Sequence, residues 1–108
     1  MASLRDLGLS EYESRVYRSL LQTGPTTAKE LSRTSDVPMG RIYDVPNSLA
    51  DQEIVRSQSA SRPKKYTAVE PETALERLLS SKREALETQI DQYEDIAGEL
   101  AEQLEAAE

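Results

Sequence analysis

Four basic side chains, Arg56, Arg62, Lys64 and Lys65, stand between residues 54 and 69 with no carboxylate among them. Cations gathered so closely suit one chemistry above others, the binding of a polyanion such as a phosphate backbone. The plainer account is a solvated turn, and the concentration of charge favours phosphate. Further back stands Arg41, whose planar fork can grip a guanine edge in the major groove; its plainer account is a surface salt bridge with Asp44 or Asp51. The chain has no histidine and no cysteine, so the commonest general base and the thiolate nucleophiles and metal ligands are missing. There is no glycine-rich phosphate loop and no carboxylate pair with a reason to converge. The residues therefore predict a binding protein, not an enzyme, with no cofactor, no metal site and no evident small-molecule effector site.

Charge divides the chain. Residues 1–69 carry a net of +2 and residues 70–108 a net of −9, which together give the −7 of the whole. Arginine outnumbers lysine nine to four. That balance fits a protein of a high-salt cytoplasm, where an acidic surface maintains solubility; an acidic coiled-coil tail is the plainer account. No apolar run approaches the roughly 20 residues that span a bilayer, and no export leader is evident. The expectation is a soluble cytoplasmic protein that makes no membrane contact.

The elements that must position these residues follow from capping and periodicity. Ser10 and Glu13 form a capping box before Tyr12, Val16, Tyr17, Leu20 and Leu21 at helical spacing, and Gly24-Pro25 ends that helix. Thr27 and Glu30 suggest a second box and a short helix over 27–34. Pro38 or Met39 starts a third helix, to about Gln52, with Ile42, Val45 and Leu49 inward. Residues 54–59 and 64–69 read as two strands around the polar turn ASRP. Pro71 opens a long helix to about residue 105. From Leu86 its apolar residues Ile90, Tyr93, Ala97, Leu100 and Leu104 are spaced 4, 3, 4, 3, 4, a coiled-coil seam. Ile90, Ala97 and Leu104 take a positions; Tyr93 and Leu100 take d. Arg83 falls on an a position, so the clean seam starts near Leu86, whereas Leu75 and Leu78 lie off it and are expected to pack on the globular part. So polar a helix cannot bury this stripe alone, and a homodimer through it is expected.

The order predicts a fold that is mostly α with a small β-hairpin: a winged helix-turn-helix over 1–69, then a long C-terminal coiled-coil dimerisation helix over 70–108. The second helix of such a motif lies in the major groove of double-stranded DNA. The candidate base-reading residues are Met39, Gly40, Arg41, Tyr43, Asn47 and Ser48. The wing contributes Arg62, Lys64 and Lys65. Thr26, Thr27 and Lys29 are candidate phosphate contacts at the start of the second helix.

The segments LGLSEYE, GPTTAKEL, VPMGRIYDV and RPKKY occur in that order, and over about residues 4–75 the chain resembles the N-terminal domain of the TrmB family of archaeal transcriptional regulators. The resemblance implies a sequence-specific DNA-binding dimer and points to a haloarchaeal member of the short kind, without the C-terminal sugar-binding domain of larger members. It departs at Pro46, where the family carries an apolar helix former. A mid-helix proline costs about 3 kcal/mol or more, so the recognition helix is expected either to kink there or to break into a turn and a separate piece over 47–52, capped by Asn47-Ser48. The resulting expectation is a homodimeric regulator on pseudo-palindromic half-sites about one helical turn apart, with the acidic helix pointing away from the duplex. The alternative is a winged-helix adaptor, or an antagonist of a related regulator, that binds protein instead of DNA.

Overall fold

The computed structural model describes residues 1–58 and 63–107. A short 3-10 turn, Leu4–Leu7, leads into α1 (Glu11–Thr23). The Ser10 hydroxyl accepts from the Glu13 N–H at 3.1 Å, and the Glu13 carboxylate accepts from the Ser10 N–H at 2.8 Å. Both halves of the capping box are thus made, satisfying amides that the helix cannot. Val16, Tyr17 and Leu20 bury the inner face. Gly24, at φ +75°, turns the chain out of the helix, a conformation glycine enters without steric cost.

Two residues, Thr26–Thr27, then form β1, followed by α2 (Ala28–Thr34), α3 (Asp44–Asp51), β2 (Val55–Gln58), β3 (Lys65–Ala68) and α4 (Pro71–Ala106). The sheet is antiparallel with order β1-β3-β2. The expected hairpin is therefore the larger part of a three-stranded sheet: Thr26 pairs with Tyr66 and Thr27 with Lys65. The core lies between the three short helices and the sheet, where Val16, Leu20, Leu31, Val37, Ile42, Leu49 and Ile54 are fully buried. The Tyr17 hydroxyl crosses it and donates to the Val69 carbonyl at 2.7 Å; burial raises the pKa of this phenol.

The third helix differs from its expected bounds of 38–52. Residues 39–43 are turns, closed by the Arg41 N–H on the Pro38 carbonyl at 2.9 Å and the Ile42 N–H on the Met39 carbonyl at 3.4 Å. The helix itself begins at Asp44, so Pro46 is its third residue. The Val45 N–H already reaches the Arg41 carbonyl at 3.0 Å, so Pro46 leaves out the next bond of the series, to the Ile42 carbonyl; the helix nonetheless runs unbroken from Asp44 to Asp51 and does not restart at Asn47. Pro46 is instead buried in the core.

α4 is one unbroken helix of 36 residues. Only Ala74 and Leu78 on it are buried. They pack into the core, so the first two turns belong to the globular head, and the boundary drawn at residue 70 falls inside a shared structure. Leu75 remains exposed, contrary to expectation. Arg77 donates to the Glu53 carbonyl and fixes α4 to the turn after α3. From Lys82 on, every described residue of the helix is exposed, and the molecule extends 68 × 28 × 26 Å. Among the described residues no helix is long and apolar enough to cross a membrane.

Candidate nucleic-acid interface

A groove of about 670 Å³ runs between α2, the start of α3 and the base of the wing. Lys29 and Arg33 line it from α2, Tyr43 from the turn before α3, Asn47 from α3 itself, and Lys64 and Tyr66 from the wing. Three bases and one acid, Glu30, make its charged lining, so it favours an anion. Lys29 and Arg33, four residues apart, share a helix face. The spacing that would have revealed Arg33 was present in the sequence, yet Arg33 was not among the candidates.

The groove brings together Thr27, Lys29, Tyr43, Asn47 and Lys64 of the sequence candidates. β1 is what holds α2 beside the wing, since Thr26 and Thr27 pair directly with β3. That role occupies both threonines. Thr26 is buried, its hydroxyl donating to the Gly24 carbonyl at 2.7 Å and bonded to the Thr23 hydroxyl at 2.7 Å. Thr27 is buried too, and its hydroxyl caps α2 by accepting from the Glu30 N–H at 3.3 Å. These hydroxyls make bonds inside the fold, and Thr27 also stands at the edge of the groove.

Within the groove the Tyr66 hydroxyl donates to Asn47 Oδ1 at 3.2 Å. The Asn47 amide N–H groups remain to face a ligand. Lys64 Nζ lies 5.3 Å from the Tyr66 ring centroid, a distance at which the ring face attracts a cation. Lys65 is exposed on β3, opposite both Thr27 and Gln58. Arg62 lies outside the described residues.

Arg41 is placed differently. Among the described residues no ion pair joins it to Asp44 or Asp51. Its Cζ sits 5.8 Å from the Tyr12 ring centroid, and Arg15 flanks the same ring at 5.8 Å. Arg15 is held by Glu11 Oε1 at 3.2 Å and the Asp36 carbonyl at 3.4 Å. Tyr12, read from sequence as one more apolar residue of α1, is thus a platform beneath two guanidiniums. Met39, Gly40 and Tyr43 are exposed around the same turn. Only the fold brings α1 and residue 41 together.

Ser48 points elsewhere. Its hydroxyl donates to Glu13 Oε2 at 2.9 Å, and Gln52 Nε2 donates to the same oxygen at 2.7 Å. This carboxylate ties α3 to α1 on the side of the capping box. Burial acts to raise the Glu13 pKa, but the hydrogen bonds from Ser10, Ser48 and Gln52 together outweigh it, and the value lies below the ordinary 4.5. A carboxyl whose folded pKa is depressed contributes stability above its unfolded value, and that stability is lost as pH falls through the folded one. Glu13→Gln, which keeps the size of the side chain but removes the charge and one of the two accepting oxygens, is expected to flatten the acid limb below pH 4.5. Urea unfolding of both proteins from pH 7 to 3 measures it; parallel curves would sink the assignment.

Comparison with known proteins agrees with this arrangement. The family described as "Sugar-specific transcriptional regulator TrmB" matches residues 4–72. TrmBL1 of Pyrococcus furiosus, a sugar-sensing transcriptional regulator of helix-turn-helix type, is 34% identical over 108 residues, covering 100% of this chain and 30% of its own. TrmBL2 of Thermococcus kodakarensis, a DNA-binding transcriptional repressor, is 34% identical over 94 residues, covering 87% of this chain and 35% of its own. The solved structure of TrmBL2, described as an archaeal chromatin protein with a novel mode of DNA binding, superposes with a TM-score of 0.79 at 32% identity, over 87% of this chain and 37% of that one. The chain spans about a third of the length of these relatives.

Proposed function

The chain belongs to the TrmB family, and on that premise we propose that it is a transcriptional regulator that binds double-stranded DNA sequence-specifically, as a homodimer on pseudo-palindromic sites. The observation that carries the reading is the groove in which Lys29, Arg33 and Lys64 meet Tyr43, just before α3, and Asn47 of α3. Cations from two separate elements, α2 and the wing, line one concave face, and the start of the reading helix stands among them. Phosphate contacts from α2 and the wing would set register on the duplex, and base-edge contacts would come from Arg41, Tyr43 and Asn47. Met39 and Gly40, exposed on the turn before α3, allow close approach to the groove floor. The acidic composition supports a host of high internal salt, where phosphate contacts weaken and base contacts must carry more of the affinity.

Mobility shift or fluorescence anisotropy on the gene's own upstream DNA tests the assignment. Arg41→Ala is expected to cost about 1–3 kcal/mol on the cognate site, and less on random DNA. The wing variant Lys64→Ala/Lys65→Ala is expected to weaken both DNAs alike and to reduce the salt slope by about 2. Unchanged binding in both variants would overturn the interface.

A further inference from the structure

We propose that α4 pairs antiparallel with α4 of a second copy of this chain, centred near Asp95, so that the two heads stand at opposite ends of a rod. The proposal rests on the homodimer reading above and adds its direction. Its starting point is the bare seam. Leu86, Ile90, Tyr93, Ile96, Leu100 and Leu104 are each between 47% and 68% exposed. They lie along a helix whose last buried residue is Leu78 and whose last approach to the head is the Lys82 side chain beside Gly8.

Three features of the seam select the direction. The first is volume. In an antiparallel pair each a position packs against a d position of the other helix. The layers are then Leu86 with the partner's Leu104, Ile90 with the partner's Leu100, and Tyr93 with the partner's Ala97. Each layer is of ordinary size, because the largest side chain meets the smallest. A parallel pair stacks Tyr93 on the partner's Tyr93 and Ala97 on the partner's Ala97, one layer overfilled and the next hollow. Close-packed interiors resist both defects.

The second feature is Arg83, on an a position. A parallel pair buries it against the partner's Arg83, like charge against like. An antiparallel pair sets it over the partner's Ala107, where its stem can cover apolar surface while the guanidinium stays in water. The third is the charge gradient. The helix keeps its three bases, Arg77, Lys82 and Arg83, in its first half; from Asp91 to Glu105 it has six acids and no base. Antiparallel pairing lays the basic end along the partner's acidic end, and opposes the helix dipoles.

Two rim pairs run the other way. Parallel pairing would join Lys82 to the partner's Glu87, and antiparallel pairing sets Glu94 near the partner's Glu94. Both are exposed, and exposed charge pairs are weak. On the opposite flank Ile96, which lies outside the a/d pattern, meets the partner's Ile96 at the two-fold axis. That contact gives this off-seam isoleucine an apolar partner.

The direction has a consequence for the DNA. With 1.5 Å of rise per residue, the two Leu78 anchors stand roughly 51 Å apart along the rod. Half-sites one helical turn apart, about 34 Å, are too close for heads held so. The sites read by one dimer are then spaced wider than one turn.

The chain has no cysteine, so a single Ser81→Cys variant of the full chain takes one spin label per protomer. Its molecular mass by light scattering is measured alongside the label-to-label distance by pulsed electron resonance. The expected result is a dimer with a distance beyond about 40 Å, twice the fourteen-residue rise from Ser81 to Asp95. A dimer with a distance near 20 Å, about two helix diameters, would overturn the antiparallel arrangement and leave the dimer standing. A monomer at micromolar concentration would overturn the dimer reading, and the direction with it.

Discussion

Aspartate at both Ile90 and Leu100 is expected to turn the dimer into monomers and to lower affinity for a two-half-site DNA by about 10²- to 10⁴-fold, without altering the unfolding of the head. The size of the effect comes from linkage. When one head has bound, the second is held near its half-site at an effective concentration in the millimolar range, and separation of the heads removes that gain with no DNA contact changed. The choice of residues comes from the antiparallel layers, in which Ile90 and the partner's Leu100 share one layer, so the double variant opposes two carboxylates in an apolar seam. The head is spared because α4 lends it only Ala74 and Leu78. Sedimentation equilibrium and anisotropy on one-site and two-site DNA measure the result. A stable dimer, or an equal loss on one-site DNA, would count against the seam.

Leu49→Ala is expected to destabilise the head by about 3–5 kcal/mol. Leu49 is fully buried on α3, and its carbonyl accepts from the Ile54 N–H at 3.1 Å where the chain enters the wing. Truncation leaves a cavity between α3 and α1, lined by side chains of a small core that has little freedom to collapse. At 4–8 °C per kcal/mol for a domain of this size, the melting temperature should fall by about 12 °C or more. Met39→Ala, on the exposed turn before the helix, is the control and should melt within a degree or two of the parent. Equal melting of the Leu49 variant would mean that α3 is not anchored by this face.

Much of this molecule could be read from the chain before it folded. The Ser10–Glu13 box, the Gly24 stop, the two wing strands and the long C-terminal helix are local signals, and each appears close to its expected place. What escaped was set by distant partners. β1 is two residues long, with no periodicity of its own, and exists because Tyr66 and Lys65 pair with it. Ser48 looked free to read bases, but Glu13, thirty-five residues earlier, takes its hydroxyl. Pro46 omits one bond near the start of α3, which opens at Asp44 and not at Pro38 or Met39, and the helix runs on unbroken to Asp51. Tyr12 has helical spacing and is nonetheless a support for Arg41, which only the packing of α1 beside the turn reveals. The candidate site was legible in its cations and less so in its geometry.

The unbroken passage of α4 from the head core into the seam makes it a shaft with a fixed phase. Leu86, the first layer of the seam, stands eight positions after Leu78, locked in the head. At about 100° per residue that interval sets the rotation of each head about the rod. A single residue inserted between them would swing both reading grooves by about 100° and advance them by about 1.5 Å, with the core around Leu78 and the seam from Leu86 on preserved. Seven inserted residues would bring the heads back to within about 20° of their original bearing, each about 10 Å farther out. In the proposed dimer, the orientation in which the two heads approach the double helix would thus be counted out in residues along the segment between Leu78 and Leu86.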